Sequence, residues 1–264
     1  ISSTVPVACR IIAQRGAWAR VAAGCQTFPA STCSAPMGPL PYCGAPPLPG
    51  AVPWNADPWL ALAIAAIVLA GWRGSPSRPA LLAGAAVLAA ALLSPLCALA
   101  VALFSARVGQ HMLVLLAAAP LLALGLRWPA PRAPIAAALF AATLWLWHLP
   151  GPYAWSFTSH AAWWAMHATL LLAATWLAQA VLRARAEAAL AVGLATAAQM
   201  GALGALLTFA PRPLYAVHEA TTWPWWLTAL EDQQLGGLLM WVPGGVLFAA
   251  LGVAALARTL RQPA

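Results

Sequence analysis

The sequence has very few charged residues. Only 7% of its 264 residues are charged, it has no lysine, and the whole chain holds five acids and thirteen arginines. Hydrophobic residues make up 63% of the chain. A soluble domain is about half apolar and about a quarter charged. A soluble monomer of this composition could not cover its surface with polar groups, so the sequence predicts an integral membrane protein.

Several motifs of enzymes and binding proteins are also absent. There is no Gly-rich phosphate loop, no GxSxG elbow and no HExxH pair. The net charge of +8 comes from scattered arginines that form no basic stripe, which argues against a nucleic-acid partner. The five cysteines include no CxxC pair, so no zinc or redox motif is indicated. Disulfides are possible in an extracytoplasmic segment, but their connectivity stays open.

Residues 1–53 differ in composition from the rest of the chain. They are rich in Pro, Gly and Ser and hold four of the five cysteines. No hydrophobic run followed by a cleavage site marks a signal peptide. We predict an N-terminal extension that is disordered or has no counterpart in related proteins. A cysteine-bearing arm that binds metal is the alternative.

Apolar runs alternate with short polar breaks from Trp54 onward. Because a transmembrane helix needs roughly 20 apolar residues, or fewer with aromatic anchors, this pattern predicts a polytopic membrane domain over 54–264. The fold class is all-α, a bundle of about seven transmembrane helices. The predicted spans are 58–72, 79–96, 105–126, 133–148, 160–182, 186–209 and 235–257.

The arginines orient this bundle. Eight of them fall in the connections on one side, whereas the other side has only Arg107 and Arg212 after residue 53. The positive-inside rule makes the eight-arginine side cytoplasmic, so the N-terminus lies outside and the C-terminus inside. The arginines before residue 21 oppose this orientation mildly. No carboxylate lies in the interior of a predicted span, which argues against a proton-relay pump.

All five histidines then fall in the outer half of the molecule. His111 lies about six residues into the third span, His148 ends the fourth and His160 begins the fifth. His167 lies on the same helical face as His160, two turns deeper, and His218 is in an outer loop. Neutral imidazole is a common ligand of copper, zinc and haem iron. We predict a metal site built from His111, His148 and His167, with His160 as a further candidate.

A thioether strengthens the case for copper. Met240 lies near the outer end of the last span, and sulfur together with imidazole favours copper, particularly Cu(I). Each feature also has an ordinary explanation. A single histidine often bonds a neighbouring helix, a methionine fills a packing gap, and His160 and His218 could be solvated.

A polar stretch directly precedes the last span. Glu231 and Asp232 could cap that helix, because acids are favoured at a helix N-terminus. Alternatively, side chains of this stretch form hydrogen bonds with the histidine ligands and orient the imidazole rings. The residues considered for this second role are Asp232, Gln233 and Gln234.

Four strings resemble the multi-span CtaG-type (caa3-type) assembly factors of bacterial cytochrome c oxidase, and the resemblance covers about residues 54–256. They are GQHMLVLLAAAPLLALG, WHLPGPYAWS, GALLTFAPRPLY and DQQLGGLLMWVPGG. The resemblance implies a bacterial plasma-membrane protein that helps to mature a haem-copper oxidase, with copper handled on the outer face and oxidase subunits as partners. By position, the family's histidines match His111, His148 and His167, and its polar motif matches residues 232–234. Met166 stands where family members often place an acid.

We therefore predict a non-enzymatic assembly factor that handles or delivers copper, in contact with the lipid bilayer and with oxidase subunits. Three alternatives stay open. A membrane haem protein would use paired histidines as axial ligands, although histidines at one level cannot hold a two-haem wire across the bilayer. A copper permease would need ligands through the cytoplasmic half, where few are found. A scaffold for oxidase subunits needs no metal.

Overall fold

The computed structural model describes residues 40–129 and 131–242. The chain divides into two units between Leu40 and Pro41, and the helices described below all belong to the second unit, Pro41–Ala264. No strand is found in the described ranges, where an isolated bridge joins Leu48 and Ala51. The prediction of an all-α fold is confirmed for this part of the chain. Residues 41–53, assigned above to the extension, lie in the same unit as the helices.

The helices follow the predicted runs closely. In chain order they are α1 Pro58–Trp72, α2 Arg78–Leu92, α3 Pro95–Ala102, α4 Phe104–Met112, α5 Ala119–Gly125, α6 Ala133–His148, α7 Pro150–Thr158, α8 His160–Arg183, α9 Ala186–Phe209 and α10, described over 229–242. A π-helical turn, Leu113–Ala118, joins α4 to α5, so that Phe104–Gly125 forms one long helical rod. Two short 3₁₀ turns, Ala216–His218 and Trp223–Trp225, lie between α9 and α10.

Polar caps followed by proline start several helices. Asp57 begins α1, where its carboxylate accepts from the backbone N–H of Trp59 at 2.7 Å and of Leu60 at 3.2 Å. Ser77 and Ser94 cap α2 and α3 in the same way, and a proline lies in the first turn of each of these helices. A cap supplies an acceptor to an N–H group that has no partner in the helix, and proline lacks that N–H altogether.

Ser94 and Pro95 split the predicted second span. α2 ends at Leu92, α3 begins at Pro95, and the two helices are bent by 46°. Proline causes this break because it cannot donate to the preceding turn and its ring clashes with that turn. A second bend, of 70°, separates α6 from α7 at Pro150.

Three helical segments are long and apolar enough to cross a membrane: Phe104–Gly125, α8 and α9. Each of the two bent pairs adds one more if it acts as a single span, which makes up to five within the described residues. α1 is a shorter apolar helix of 15 residues. The described part of the chain is therefore all-helical, and three to five of its segments have the length and composition of membrane spans. The count of seven spans stays a prediction, and residues 243–257 of the seventh lie outside the described ranges.

The core forms around the long rod and α8. The α5 part of the rod packs against α2 and α8. α8 also packs against α6, and α9 packs against both α6 and α8. Gly125 allows the close approach of α2, because a Cβ on it would lie 2.6 Å from the backbone of Leu81. Small residues of this kind let helix backbones meet in a membrane. This packing brings α4, α6 and α8 together, and each of these helices carries one of the predicted histidine ligands.

Candidate metal centre

His111, His148 and His167 lie side by side in the interior. The centroid of the His111 ring is 5.4 Å from that of His167 and 6.2 Å from that of His148. All three side chains are buried. They come from α4, from the last residue of α6 and from the second turn of α8. The predicted juxtaposition of these histidines is therefore found in the tertiary structure.

Hydrogen bonds set the tautomer of two of the rings. Nδ1 of His148 lies 2.7 Å from the carbonyl oxygen of Leu144, and Nδ1 of His167 lies 3.0 Å from that of Trp163. A carbonyl can only accept, so each Nδ1 carries the proton and donates it. A neutral imidazole has one N–H, which leaves Nε2 with a free lone pair. Histidines that ligate a metal show this same arrangement.

His111 has no hydrogen-bond partner on either ring nitrogen, although its side chain is buried. An unpaired polar group in the interior costs about 1–3 kcal/mol, so an uncompensated imidazole is unusual in a packed core. A metal ion held by one of its nitrogens would remove this cost. The donor set of three neutral imidazoles therefore fits a soft or borderline transition metal.

The three imidazole rings lie at distances that suit binding to one shared metal ion, but their nitrogens do not yet form a complete coordination site. Two imidazoles that bind one metal through nitrogen have ring centroids about 5–6 Å apart, given metal–nitrogen bonds of about 2 Å. The observed distances of 5.4 and 6.2 Å lie close to this range. No group of three or more His, Cys, Asp or Glu side chains within 40–129 and 131–242 is arranged to hold a metal ion as it stands. Ring rotations would have to complete the site.

Gln110 is a neighbour of the site that the sequence reasoning missed. Its Nε2 donates to the carbonyl oxygen of Ala91 at 2.9 Å, and its Oε1 lies 3.4 Å from Nε2 of His167. His167 cannot donate from both nitrogens while neutral, and the shorter bond holds the proton on Nδ1. The signal available in the sequence was an amide directly beside His111 within an apolar run.

Arg107 lies one helical turn before His111 and is buried, although the sequence suggested an outer-side charge at the membrane surface. Its Nε donates to the carbonyl oxygen of Ala100 at 3.1 Å, and one of its terminal nitrogens has no partner. The guanidinium carbon lies 4.4 Å from the centroid of the Phe157 ring, within cation–π range. The histidine site therefore has a fixed positive charge close by.

His218 has a structural role. Its Nδ1 donates to the carbonyl oxygen of Ala102 at 3.3 Å, and its Nε2 accepts from the hydroxyl of Tyr153 at 2.7 Å. Burial, aided by the charge of Arg107, lowers the pKa of His218 to about 3, so the ring is neutral. Its side chain is 1% exposed, and the solvated alternative is therefore wrong for this residue.

His160 is not placed with the three buried rings. It begins α8, is exposed, and lies about 10 Å along the helix from His167 at 1.5 Å per residue. Its ring meets the edge of Tyr42, with centroids 5.5 Å apart. Its predicted role as a ligand stays a proposal that needs a large movement.

Asp232, far from α4 in the sequence, forms hydrogen bonds with the N-terminus of that helix. Its carboxylate accepts from the backbone N–H of Phe104 at 2.6 Å and of Ser105 at 3.1 Å, and also from the Ser105 hydroxyl. It thereby caps the helix that carries His111. These bonds position the helix, whereas the prediction had Asp232 orienting a histidine ring.

The rest of the polar stretch binds backbone or caps α10. Glu231 accepts from the N–H and the hydroxyl of Thr228, both at 2.8 Å, so its capping role is confirmed. Oε1 of Gln233 accepts from the N–H of Leu214 at 2.7 Å, and its Nε2 donates to the carbonyl oxygen of Leu207 at 3.2 Å. Gln234 is half-buried.

Sulfur contributes to packing and to one covalent link. Met240 is fully buried within the main apolar core, as expected for a methionine that fills a packing gap. Cys97 forms a disulfide with Cys43 and so presents no thiolate to a metal. Cys9, Cys25 and Cys33 lie outside the described residues.

Comparison with known proteins gives one match, to a protein family. The model of the cytochrome c oxidase caa3 assembly factor family (Caa3_CtaG) matches residues 128–262, slightly more than half of the chain. The chain belongs to this family. The matched range includes His148, His167 and Asp232, whereas His111 precedes it. No curated protein and no solved structure matches this assembly factor.

Proposed function

We propose that this caa3-type assembly factor binds copper on the outer side of the plasma membrane and passes it to cytochrome c oxidase during maturation. The observation that carries the proposal is the group of three buried imidazoles. Two of them have Nε2 free because Nδ1 donates to a carbonyl, and His111 has no partner on either nitrogen. This arrangement provides metal-binding lone pairs, and the Nε2 of His167 also has a polar neighbour, Oε1 of Gln110, at 3.4 Å.

The surroundings favour Cu(I) over a divalent ion. The donors are neutral nitrogens, and the charged neighbour is the buried cation Arg107, one turn from His111. Repulsion between this cation and a bound ion grows in proportion to the charge of the ion. A monovalent copper ion is therefore penalised least. Weakened binding also suits a protein that must release its metal to a partner.

Two independent features support an outer location for the site. The disulfide between Cys43 and Cys97 is of a kind that persists outside the cytoplasm. The exposed arginines of the α1–α2, α5–α6 and α8–α9 connections lie at the opposite ends of these helices from the histidines. The positive-inside rule makes those connections cytoplasmic.

The donor set also suits delivery in preference to catalysis. A site with three protein ligands leaves a coordination position open, into which a ligand from a partner can enter. The partner expected from the family is an oxidase subunit with its own copper-binding residues. We propose that the factor is not an enzyme and acts by exchanging metal within the membrane or at its outer surface.

Metal content and the visible spectrum of detergent-purified protein test this proposal. We expect about one copper per chain and no haem Soret band. The triple variant His111→Ala/His148→Ala/His167→Ala should lose the copper, whereas His160→Ala at the exposed start of α8 should keep it. A Soret band would favour the haem alternative. Copper-free protein whose triple variant still matures the oxidase would refute copper handling and leave a scaffold.

A further inference from the structure

A non-helical segment, residues 41–57, is fastened over the outer ends of α2, α3 and α8. The disulfide between Cys43 and Cys97 ties its first part to the start of α3. Its last part is held by Asn55, whose side-chain Nδ2 donates to the carbonyl oxygen of Leu92 and whose backbone N–H donates to that of Leu93, both at 3.1 Å. The Tyr42 hydroxyl donates to the carboxylate of Asp57 at 2.6 Å and so closes the segment into a loop.

Tyr42 connects this segment to the histidine site through a column of rings. Its ring stacks on Trp163, with centroids 3.9 Å apart and planes inclined by 18°. Trp163 in turn lies 4.1 Å from the ring of His167, and its carbonyl oxygen accepts the Nδ1 proton of that histidine. The disulfide is formed by the residue directly after Tyr42, so it restrains the outer end of the column.

A cavity of about 210 Å³ reaches the same rings from the side. It lies between α1, α2 and α8 and is lined by apolar side chains of these helices and by Val114, with His167 as the one ionisable residue of the lining. Trp163 and Trp164 form part of its wall, and Tyr42 contacts both of these rings. Tyr42 therefore lies against two of the rings that form the wall of the cavity beside His167.

We propose that the Cys43–Cys97 disulfide is a redox latch that keeps Tyr42 on Trp163 and closes the entrance to the histidine site, and that its reduction opens that entrance. The inference rests on the proposed function for its purpose, because copper is the cargo whose entry and exit the latch would govern. The opening itself is a property of the protein that can be measured without copper.

The position of the two sulfurs defines the chemistry. Cys97 is fully buried and Cys43 is 9% exposed, so Cys43 is the more accessible of the two and is the one that an incoming thiolate would attack. The attacking sulfur bonds to Cys43, the disulfide breaks, and its electron pair leaves on the Cys97 sulfur, which takes up a proton. The second thiol of a dithiol reductant then displaces Cys43 as a thiol. Two electrons pass from the dithiol to the pair, and the dithiol becomes a disulfide.

Chemical modification of His167 by diethyl pyrocarbonate tests the latch. The full-length protein in nanodiscs, without metal, is treated with the reagent before and after reduction by a phosphine, and each histidine is quantified by mass spectrometry. We expect the modification rate of His167 to rise at least tenfold on reduction. His218, which is buried beside Tyr153 away from the segment, and His160, which is already exposed, should change less than twofold.

Three variants separate the latch from other effects of reduction. Cys43→Ser/Cys97→Ser and Tyr42→Ala should react fast at His167 with or without reductant. The variant Cys9→Ser/Cys25→Ser/Cys33→Ser keeps the Cys43–Cys97 disulfide and should respond as the wild type does. An unchanged His167 rate in reduced protein, or in the Cys43→Ser/Cys97→Ser variant, would overturn the latch and leave the disulfide as a structural link.

A measurement of copper release distinguishes this inference from the proposed function. If copper binds, its extraction by a Cu(I) chelator should be at least tenfold faster from reduced than from oxidised protein. Equal extraction rates would contradict the latch while copper handling stands. If no copper binds but His167 opens on reduction, copper handling fails and the latch is supported.

Discussion

At the scale of single residues, hydrogen bonding separates two kinds of buried histidine. His218 uses both ring nitrogens, with Ala102 and Tyr153 as partners. His111 uses neither. Burial alone therefore does not identify a ligand, because both side chains are almost completely hidden from solvent. The unpaired nitrogens are what point to a missing partner, and substitution can separate the two cases.

Replacing His111 by leucine should mainly lower copper affinity, whereas replacing His218 by leucine should mainly lower stability. His111→Leu removes two unsatisfied nitrogens, so we expect the free energy of unfolding without metal to change by less than about 1 kcal/mol. Its copper affinity should fall at least a hundredfold. His218→Leu leaves the Tyr153 hydroxyl unpaired and should cost about 1–3 kcal/mol. Copper titration and denaturation of each variant in detergent measure both quantities. A reversed order of destabilisation would contradict the assignment.

The low pKa of His218 predicts a loss of stability in acid. In the unfolded chain this imidazole protonates near pH 6.5, whereas in the folded protein its pKa is about 3. The unfolded state therefore binds the extra proton between these values. Stability contributed by the neutral ring is present above pH 6.5 and declines as the pH falls toward about 3.

We expect the slope from this one residue to approach about 1.4 kcal/mol per pH unit below pH 6. His218→Gln removes the titrating group while keeping a hydrogen-bonding side chain. The difference between the unfolding free energies of wild type and this variant, measured from pH 7 to pH 4, isolates the contribution of His218. A difference that does not depend on pH would show that His218 is not held neutral by the fold.

At the scale of elements, the start of α4 is set by a residue 128 positions further along the chain. The Asp232 carboxylate accepts hydrogen bonds from the first two backbone N–H groups of this helix. The helix then places Arg107, Gln110 and His111 in the core. Such a cap fixes where the helix begins and hence how it is rotated. The direction in which His111 points therefore depends on α10 docking correctly.

Asp232→Ala should weaken both the fold and the site. The loss of an N-cap costs about 0.5–2 kcal/mol, and two buried N–H groups left unpaired place this case at the upper end. Copper affinity should fall as well, because the start of α4 loosens. Glu231→Ala is the matched control, since it removes an exposed cap of α10 and should leave copper affinity unchanged. Equal effects of the two substitutions on copper binding would rule out a positioning role for Asp232.

At the scale of the whole molecule, charge and disulfide chemistry support the same orientation. The arginine-rich connections and the disulfide lie at opposite ends of the bundle. A membrane protein keeps one orientation because moving charged connections across the bilayer is costly. The proposed function requires this orientation, in which the histidine site lies in the outer half of the bundle.

Cysteine labelling of intact cells tests this orientation. In a chain that lacks Cys9, Cys25 and Cys33 but keeps the disulfide, Glu219→Cys lies in the exposed loop after α9 and should react with a membrane-impermeant maleimide. Arg127→Cys lies in the exposed connection after α5 and should react only after lysis. Labelling of Arg127→Cys in intact cells would invert the topology and remove the support for an outer copper site.

The membrane class, most helix bounds and the choice of three histidines followed from the sequence by itself. These depend on local properties: the apolar composition, Ser or Asp before proline at helix starts, and imidazoles within apolar runs. Each can be recognised within a few residues of chain. The family could also be recognised from short strings, and the match over residues 128–262 confirms it.

Only the tertiary structure decided the partners of these residues. The Cys43–Cys97 disulfide joins residues 54 positions apart, and the cap of α4 by Asp232 joins residues 128 positions apart. The burial of Arg107 and the different roles of His111 and His218 also depend on contacts between distant segments. A hydrogen bond or disulfide forms where packing brings two groups within reach, and packing is a property of the whole set of helices. No local pattern specifies which distant backbone group a carboxylate or an imidazole will meet.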